Sequence, residues 1–360
     1  MILETGMNSD ISQRLQQQIQ GAFNQKTALC IVGGNSKAFY GHAVSAETLS
    51  VAEHRGVLNY EPTELVITAR AGTPLNEIEK ILDDNGQMLP FEPPAFTSKA
   101  TIGGTIACNL SGPRRAYAGA ARDFLLGCKI INGKGEILTF GGEVMKNVAG
   151  YDVSRLMAGA YGTLGVLLEI SLKVLPRPAA SVTLFHECSA SDAVQFMSGL
   201  LSKPLPVDGA CYYKGQCYVR LSGSEQSVKE AQKKLPGEML SPRSHFWQRL
   251  REHELSFFIN IDKPLWRIAV KPATAPLPIE GEWLLDWGGA QRWLWRDIEV
   301  DKIRSVVQQH GGHATLFRGG DRESDVFQPL AKPLQLLHQR LKASFDPDRI
   351  FNPGRMYVEV

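Results

Sequence analysis

The sequence lacks the cysteine pairs, charge excess and long apolar runs that mark several functional classes. Its six cysteines include no C-x-x-C pair, which argues against an iron–sulfur or zinc site built by this chain alone. Lys and Arg (39) nearly balance Asp and Glu (37), so no net charge attracts nucleic acid. No 18-residue apolar stretch or secretory leader occurs, which predicts a cytoplasmic protein with no direct membrane span. Any association with the inner face of the plasma membrane would come through partners.

The composition is that of a globular protein with more than one domain. The chain has 360 residues, of which 43% are hydrophobic and 21% charged. Five aliphatic side chains alternate with polar ones from Val166 to Val174, as in a strand, and Pro176 and Pro178 then end the pattern. We therefore predict a first domain over 1–178, a second over 179–330, and a C-terminal helix and tail over 331–360 that pack back on the first domain.

Hydrophobic periodicity predicts an α+β fold. In the first domain we expect helices at 13–23 and 75–82, the second with Thr73 as its N-cap, and strands at 27–32, 65–69, 125–131 and 136–140. The second domain has the order strand, helix, strand, strand, helix over 182–235, with a helix start at Ser191. This order indicates a ferredoxin-like sheet. A tryptophan-rich hairpin over 283–295 continues it, although no sequence repeat is visible.

Glycine is concentrated in one part of the chain. Thirteen of the 34 glycines lie between Gly103 and Gly165, and apolar residues such as Ile102 and Ile106 are threaded among them. Surface loops do not need such apolar residues. This pattern predicts a bed in which the backbone approaches a large, flat ligand.

A second small-residue segment follows the first predicted strand. Gly33, Gly34, Asn35, Ser36 and Lys37 form a turn whose backbone N–H groups can converge on a pyrophosphate. The alternative is an ordinary strand-ending turn. The segment matches neither G-x-G-x-x-G nor the P-loop pattern.

Three further segments extend the pattern. They are FEPP at 91–94, TIGGT at 101–105 and GTLGV at 162–166, and the chain ends with FDPDRIFNPGRM at 345–356. In this order the segments resemble the FAD-binding fold of the vanillyl-alcohol oxidase superfamily, and within it the family of FAD-binding E subunits of bacterial glycolate oxidase. The resemblance implies a two-part FAD-binding domain followed by a smaller α+β cap domain.

The resemblance also implies which residues contact FAD. They are Gly33, Gly34, Asn35, Ser36, Lys37, Pro93, Pro94, Thr101, Gly103, Gly104, Thr105, Asn109, Ser111, Gly112, Lys146, Gly165 and Val166. Many members of the superfamily carry a histidine beside the first glycines that links covalently to the flavin. Asn35 and Ser36 stand there in this chain, so we expect noncovalent FAD.

One departure from the superfamily concerns catalysis. Its 2-hydroxy-acid dehydrogenases carry an H-x-G-D-G-N-x-H metal motif, which this sequence lacks. We interpret His313 as a turn residue rather than a base, because no second ligand stands at metal-binding spacing. Arg318 either pairs a substrate carboxylate or is solvated, and we favour the solvated state. The catalytic residues are therefore unknown and no metal is expected.

Three features have two interpretations. Lys146 either lies beside the flavin or is a surface lysine before a helix capped by Asp152. Arg114 and Arg115 either approach phosphates or are solvated. The tryptophans of the hairpin are interpreted as core residues rather than as a docking surface.

The resemblance implies an FAD subunit of a complex that oxidises glycolate, a 2-hydroxy acid, to glyoxylate. The implied partners are a second FAD-containing glycolate oxidase subunit and an iron–sulfur subunit, with electrons ending at a quinone. The missing metal motif indicates that the partner flavoprotein oxidises the substrate. Two alternatives remain: a self-sufficient FAD-dependent dehydrogenase, and a structural subunit whose flavin site is vestigial.

Overall fold

A computed structural model describes residues 8–142, 152–259, 262–322 and 326–358. The chain divides into two compact units. The first comprises 1–110, 120–176 and 329–360, and the second 111–119 and 177–328. The main division therefore falls two residues before the predicted boundary, and a nine-residue segment of the glycine-rich region belongs to the second unit. Lys146 lies outside the described residues.

The first unit contains most of the predicted helices and strands of the first domain, plus the C-terminal helix. Its elements are α1 (Ser12–Gln25), β1 (Leu29–Val32), β2 (Glu47–Ser50), β3 (Val57–Glu61), β4 (Val66–Arg70), α2 (Leu75–Asp84), β5 (Gln87–Met88), α3 (Ile102–Cys108), β6 (Leu125–Ile131), β7 (Ile137–Gly141), α5 (Val153–Met157), β8 (Val166–Lys173), β9 (Leu175–Pro176) and α10 (Lys332–Phe345).

The first unit is built on three sheets. Strands β1 and β2 pair in parallel, β5 pairs with β9, and the largest sheet is antiparallel with the order β3-β4-β8-β6-β7. Strand β8 is the central strand of this sheet, and residues on both of its faces are buried, not only those on the aliphatic face that the sequence showed. On the second face Ser171 is buried, and its hydroxyl lies 2.9 Å from that of Thr68.

A hydrophobic core joins α1 to the sheets of the first unit. Leu15 and Ile19 of α1 are fully buried against Val166 and Leu168 of β8 and against Phe351 near the C-terminus. The C-terminal segment therefore packs inside the first unit although some 300 residues separate it from β1 in sequence.

The second unit consists of one eight-stranded sheet with helices. Its elements are α4 (Arg115–Ala118), β10 (Ala180–Glu187), α6 (Ala190–Leu200), β11 (Val207–Tyr213), β12 (Gln216–Gly223), α7 (Glu225–Gln232), β13 (Glu238–Met239), α8 (Phe246–Arg251), β14 (Leu265–Ala269), β15 (Glu282–Asp286), β16 (Gln291–Trp295), α9 (Val300–Gln309) and β17 (His313–Arg318).

The eight-stranded sheet of the second unit is a doubled ferredoxin-like sheet. Its order is β13-β10-β12-β11-β15-β16-β14-β17. Numbered within each half, the strands follow the order 4-1-3-2 and then 2-3-1-4, joined where β11 pairs with β15. The predicted ferredoxin-like sheet is confirmed, and the fold contains a topological repeat that the sequence does not show.

Two predicted helix caps were wrong. Thr73 does not cap α2, because Pro74 occupies the cap position and the Thr73 hydroxyl instead contacts the backbone of Gly56. Helix α6 begins earlier than predicted, with the hydroxyl of Ser189 accepting a bond from the Asp192 amide. Asp152, in contrast, caps α5 by accepting from the Arg155 amide, as its alternative interpretation stated.

The tryptophans of the hairpin are core residues, as predicted. Trp287, Trp293 and Trp295 are each at most 9% exposed. Trp293 lies opposite Leu284 across β15 and β16, and its ring contacts that of Phe317 with centroids 4.9 Å apart.

Candidate cofactor site

A cavity of about 300 Å³ lies within the first unit. It is lined mainly by small and aliphatic side chains, together with two cations and several backbone segments. The lining residues are Cys30, Ile31, Val32, Gly33, Gly34, Asn35, Ser36, Lys37, Ala38, Ala43, Val44, Val51, Ala71, Thr101, Gly103, Gly104, Ala107, Cys108, Tyr161, Gly162, Gly165, Leu167, Asn352 and Arg355. This set contains polar donors for an anion but no Asp, Glu or His, the side chains that most often take a substrate proton.

The loop that follows β1 provides backbone donors. Asn35 has φ 55°, in the left-handed region, so the chain turns sharply there. Within the described residues, the backbone N–H groups of Gly34, Asn35 and Ser36 donate to no protein acceptor. Consecutive N–H groups of this kind form a concave site that favours phosphate oxygens.

The absence of a side chain has different physical reasons at different glycines of the cavity wall. A Cβ on Gly34 would stand 1.4 Å from the Lys99 carbonyl oxygen, and one on Gly103 would stand 2.7 Å from Ala71. These two glycines are needed for packing within the protein. A Cβ on Gly104 would meet only the Thr101 hydroxyl, at 3.3 Å, so the remaining space beside it belongs to the cavity. Gly104 is thus the glycine whose missing side chain leaves room for a ligand.

Two cations line the cavity. Lys37 is 6% exposed, and its ammonium lies 3.3 Å from the Ser36 hydroxyl and 5.8 Å from the centre of the Phe96 ring. Arg355 donates to the carbonyl of His42 at 2.7 Å and to that of Ala38 at 3.0 Å. These bonds fix the Arg355 guanidinium in place. Carbonyl partners leave its positive charge uncancelled, which favours an anionic ligand.

The C-terminal F-N-P-G-R segment closes one side of the cavity. Asn352 accepts a hydrogen bond from the Ile31 amide at 2.8 Å and donates to the Tyr161 carbonyl at 2.6 Å. It therefore joins β1 to the turn that precedes β8. Gly162 has φ 71°, and a Cβ there would stand 2.7 Å from the Asn352 amide nitrogen. The turn and the C-terminal segment fit only with glycine at this position.

A buried ion pair holds the C-terminal segment in position. Lys342 and Asp346 are both fully buried, with their charged atoms 2.9 Å apart. Lys342 also donates to the carbonyls of Thr163 and Phe351, and Asp346 accepts from the amide of Phe351. Burial lowers the pKa of Lys342, and the Asp346 carboxylate opposes that shift. Because the two charges are buried against each other, removing either residue would leave the charge of the other uncompensated.

Two cysteine thiols are part of the cavity wall, Cys30 and Cys108. Burial raises the pKa of Cys108, and the positive charges of Lys37 and Arg355 partly oppose this rise. The thiol is therefore neutral at physiological pH and contributes a small apolar surface.

Nine of the seventeen predicted FAD residues line the cavity. They are Gly33, Gly34, Asn35, Ser36, Lys37, Thr101, Gly103, Gly104 and Gly165. Three segments that are far apart in the sequence therefore line one cavity, although each of them alone was only a weak indication of a ligand site.

Five predicted residues of the first unit do not line it. Pro93 and Pro94 are buried elsewhere, and the Thr105 hydroxyl bonds back to the Thr101 carbonyl. Asn109 ends α3 and accepts from the Arg122 amide. Val166 points into the core, on the opposite face of β8 from Leu167, which lines the cavity, because successive residues of a strand face opposite ways.

Ser111 and Gly112 belong to the second unit. There the Gly112 carbonyl accepts a bond from the Trp287 indole at 2.9 Å. Lys146, as noted, lies outside the described residues. The segment after Leu110 thus departs from the cavity, which sequence adjacency to α3 did not reveal.

The arginines whose state was open are engaged within the second unit. Arg114 forms an ion pair with Asp208 at 2.6 Å, and Arg115 lies over the Trp287 ring, 4.3 Å from its centre. Arg318 is half-buried, with its guanidinium 5.7 Å from the Phe317 ring centre, so it is only partly solvated. His313 begins β17 and lies opposite Ala269 of β14.

Several lining residues were not predicted, chiefly Tyr161, Gly162, Asn352 and Arg355. The N-P-G-R motif was visible in the sequence, but nothing in the motif alone shows that it packs beside β1.

In the described part of the chain, no group of three or more His, Cys, Asp or Glu side chains is arranged to hold a metal ion. No helix there has the length and apolar character needed to cross a bilayer.

Comparison with known proteins agrees with this geometry. A family model described as an FAD binding domain matches residues 12–141, which include the loop after β1 and helix α3. The glycolate oxidase subunit GlcE of Escherichia coli (strain K12) is 52% identical over 352 residues, covering 98% of this chain and 99% of the relative. The chain belongs to the GlcE family of glycolate oxidase subunits.

Other relatives of this GlcE-family chain match it only over part of its length. D-lactate dehydrogenase of Anaerostipes hadrus is 30% identical over 163 residues, 44% of this chain and 34% of that protein. Glycolate oxidase subunit GlcD of Bacillus subtilis (strain 168) is 33% identical over 128 residues, 36% of this chain and 27% of that protein. The matching segments thus span about a third or less of the length of these relatives.

Among solved structures, an alkyldihydroxyacetonephosphate synthase superposes with a TM-score of 0.68. The match covers 96% of this chain and 76% of that one, at 15% sequence identity. At this identity the likeness shows the fold, which is that of the vanillyl-alcohol oxidase type, and nothing about substrate.

Proposed function

We propose that the chain is the noncovalent FAD-binding E subunit of a glycolate oxidase complex. In this proposal the first unit holds one FAD, and the second unit serves as a cap that meets substrate or partner. The observation that carries the proposal is the cavity wall itself, where free backbone donors, two fixed cations and the open space beside Gly104 come together.

The residues present fit FAD. A dinucleotide cofactor needs donors for its diphosphate and close backbone contact for its flat rings. Gly34, Asn35 and Ser36 supply the donors, Lys37 and Arg355 supply positive charge, and Gly104 leaves room for contact. When bound, FAD supplies the capacity to accept a hydride from a carbon that bears a hydroxyl group.

The proposed linkage is noncovalent. The cavity lining includes no histidine, and Asn35 and Ser36 stand beside the glycines where a linked histidine occurs in many superfamily members. Acid precipitation of the purified chain should leave yellow flavin in the supernatant. A yellow pellet would show a covalent bond.

We further propose that a partner flavoprotein oxidises glycolate and that this chain relays electrons toward an iron–sulfur subunit and a quinone. Removal of the hydride requires the hydroxyl proton to leave, so a base or metal must lie within hydrogen-bond reach. The cavity lining offers no Asp, Glu or His for that task. Its own residues bind and orient the cofactor and exclude water through aliphatic side chains such as Val51 and Leu167.

The test is stopped-flow mixing of the FAD-loaded chain with glycolate, alone and after co-expression with the two partner subunits. We expect no rapid bleaching of flavin absorbance in the isolated chain and rapid bleaching in the complex. Rapid bleaching in the isolated chain would place the catalytic site here and support the self-sufficient dehydrogenase instead. A colourless chain that also fails to take up added FAD would favour the vestigial site.

A further inference from the structure

Helix α10 carries an unusual concentration of exposed leucine. Leu334, Leu336 and Leu337 are 50%, 46% and 51% exposed, and they lie within four residues of one helix. The other large apolar side chains exposed in the described residues are scattered singly, which is normal for a protein surface. We call these three residues the leucine patch.

The structure shows why the patch stands clear of the first unit. The C-terminal half of α10 is anchored by buried Lys342 and by Phe345, whose ring lies 6.2 Å from that of Phe140. Midway, the His338 ring lies 6.1 Å from that of Tyr357. The first turns of the helix have no buried residue. The anchored part of the helix thus lies C-terminal to the three leucines, each of which is about half exposed.

The charged side chains of helix α10 itself have one sign. The helix contains Lys332, Arg340 and Lys342 and no acidic residue. Lys342 is buried with Asp346, whereas Lys332 and Arg340 are exposed and form no ion pair with any described carboxylate. A surface that complements this rim would be apolar at its centre and acidic at its edge.

The direction of the side chains favours a protein over a lipid surface. At 3.6 residues per turn, the three leucines span an arc of about 160° around the axis, and Arg340 falls inside that arc. A bilayer that received all three leucines would also receive the guanidinium, which costs free energy there. A protein groove can instead pair Arg340 with a carboxylate while it buries the leucines.

We propose that the leucine patch is the docking surface for a partner subunit of the oxidase complex, which presents an apolar groove bordered by carboxylates. This inference rests on the proposed function, since that function supplies the partner. The patch would form the apolar centre of the contact, with Lys332 and Arg340 at its rim. It assigns to α10 a role that FAD binding by the first unit does not require.

The test compares Leu337→Glu with Leu201→Glu in the full chain. Leu201 is 49% exposed and lies in the second unit at the end of α6, so it controls for a carboxylate at an equally exposed leucine. Each tagged variant is co-expressed with the second flavoprotein and iron–sulfur subunits of the same genome. Affinity is then measured by titration of purified subunits, and FAD content by absorbance.

We expect Leu337→Glu to weaken the complex at least about 30-fold, as the loss of a central interface residue does. Leu201→Glu should leave affinity unchanged, and both variants should keep wild-type FAD content. Arg340→Glu should weaken the complex and remove part of its salt dependence.

Other results overturn the inference. Wild-type affinity for Leu337→Glu would do so while leaving the proposed complex intact. A wild-type chain that keeps FAD but binds neither subunit would refute the complex itself. A dimer of the isolated chain that Leu337→Glu splits would identify a second copy as the occupant. Flotation of the isolated chain with phosphatidylglycerol vesicles, lost in Leu337→Glu, would identify a lipid surface.

Discussion

Replacing Gly104 with alanine should separate cofactor binding from folding. In the protein alone, the added methyl group meets only the Thr101 hydroxyl, at 3.3 Å. Gly104 also lies in helix α3, where alanine is favoured over glycine by about 0.5–1 kcal/mol. The apo-protein should therefore unfold at the wild-type temperature or slightly above it.

The same methyl group projects into the cavity where FAD is proposed to lie. Overpacking by one methyl group typically costs about 1–3 kcal/mol, which corresponds to a loss of roughly 5- to 150-fold in affinity. We expect the dissociation constant for FAD, measured by fluorescence titration of the apo-protein, to rise within that range. Thermal unfolding of the same preparation checks that the fold is retained.

Two further glycines provide controls. Gly21→Ala places a methyl group on the surface of α1 with nothing within 4 Å, so it should gain helix propensity without any change in FAD affinity. Gly34→Ala forces a methyl group against the Lys99 carbonyl and should damage the fold with or without FAD. Wild-type FAD affinity in Gly104→Ala would refute the placement of the cofactor beside α3. An unfolding temperature of the Gly104→Ala apo-protein below that of the wild type would show that the space beside Gly104 is not open.

Three other outcomes test separate parts of the first unit. Asn352→Asp keeps an acceptor for the Ile31 amide but sets a carboxylate oxygen against the Tyr161 carbonyl, so urea unfolding should show a loss of about 1–3 kcal/mol, and an unchanged midpoint would contradict the role of this residue. Lys342→Met leaves Asp346 charged and buried and should lower the free energy of unfolding by about 3–5 kcal/mol, and adding Asp346→Asn should recover part of that loss. Additive losses from the two substitutions would argue against an interaction between Lys342 and Asp346. Burial lowers the pKa of His54 below its ordinary 6.5, so the unfolded chain binds the proton more readily, and the free energy of unfolding should fall as pH drops below about 6.5. His54→Asn should reduce the slope of the free energy of unfolding against pH by up to about 1.4 kcal/mol per pH unit. A slope identical to that of the wild type would show that His54 does not contribute.

Local patterns in the sequence were sufficient for most of the elements. Strand β8 and its proline-bounded end, the hairpin of β6 and β7, and helix α2 follow from alternation, turn residues and helical spacing. The order of elements in the second unit was also enough to indicate a ferredoxin-like sheet. The cap at Thr73 failed because its hydroxyl contacts the backbone of Gly56. The helix start at Ser191 failed because Ser189, two residues earlier, provides the cap through a local bond with the Asp192 amide.

The sequence by itself determined where the glycine-rich segments beginning at Gly33, at Thr101 and at Gly162 stand, and it predicted that they contact one ligand. Their residue types restrict what the backbone can do, and that restriction is local. Only the tertiary structure decided which of them share a wall. It placed Asn352 and Arg355 beside β1 because a buried ion pair and the core around Phe351 hold the C-terminus there. In the same structure, the side chain of Val166 points into the core instead of the cavity, and Ser111 belongs to the second unit. Such outcomes depend on which distant surfaces bury one another, and no local pattern carries that information.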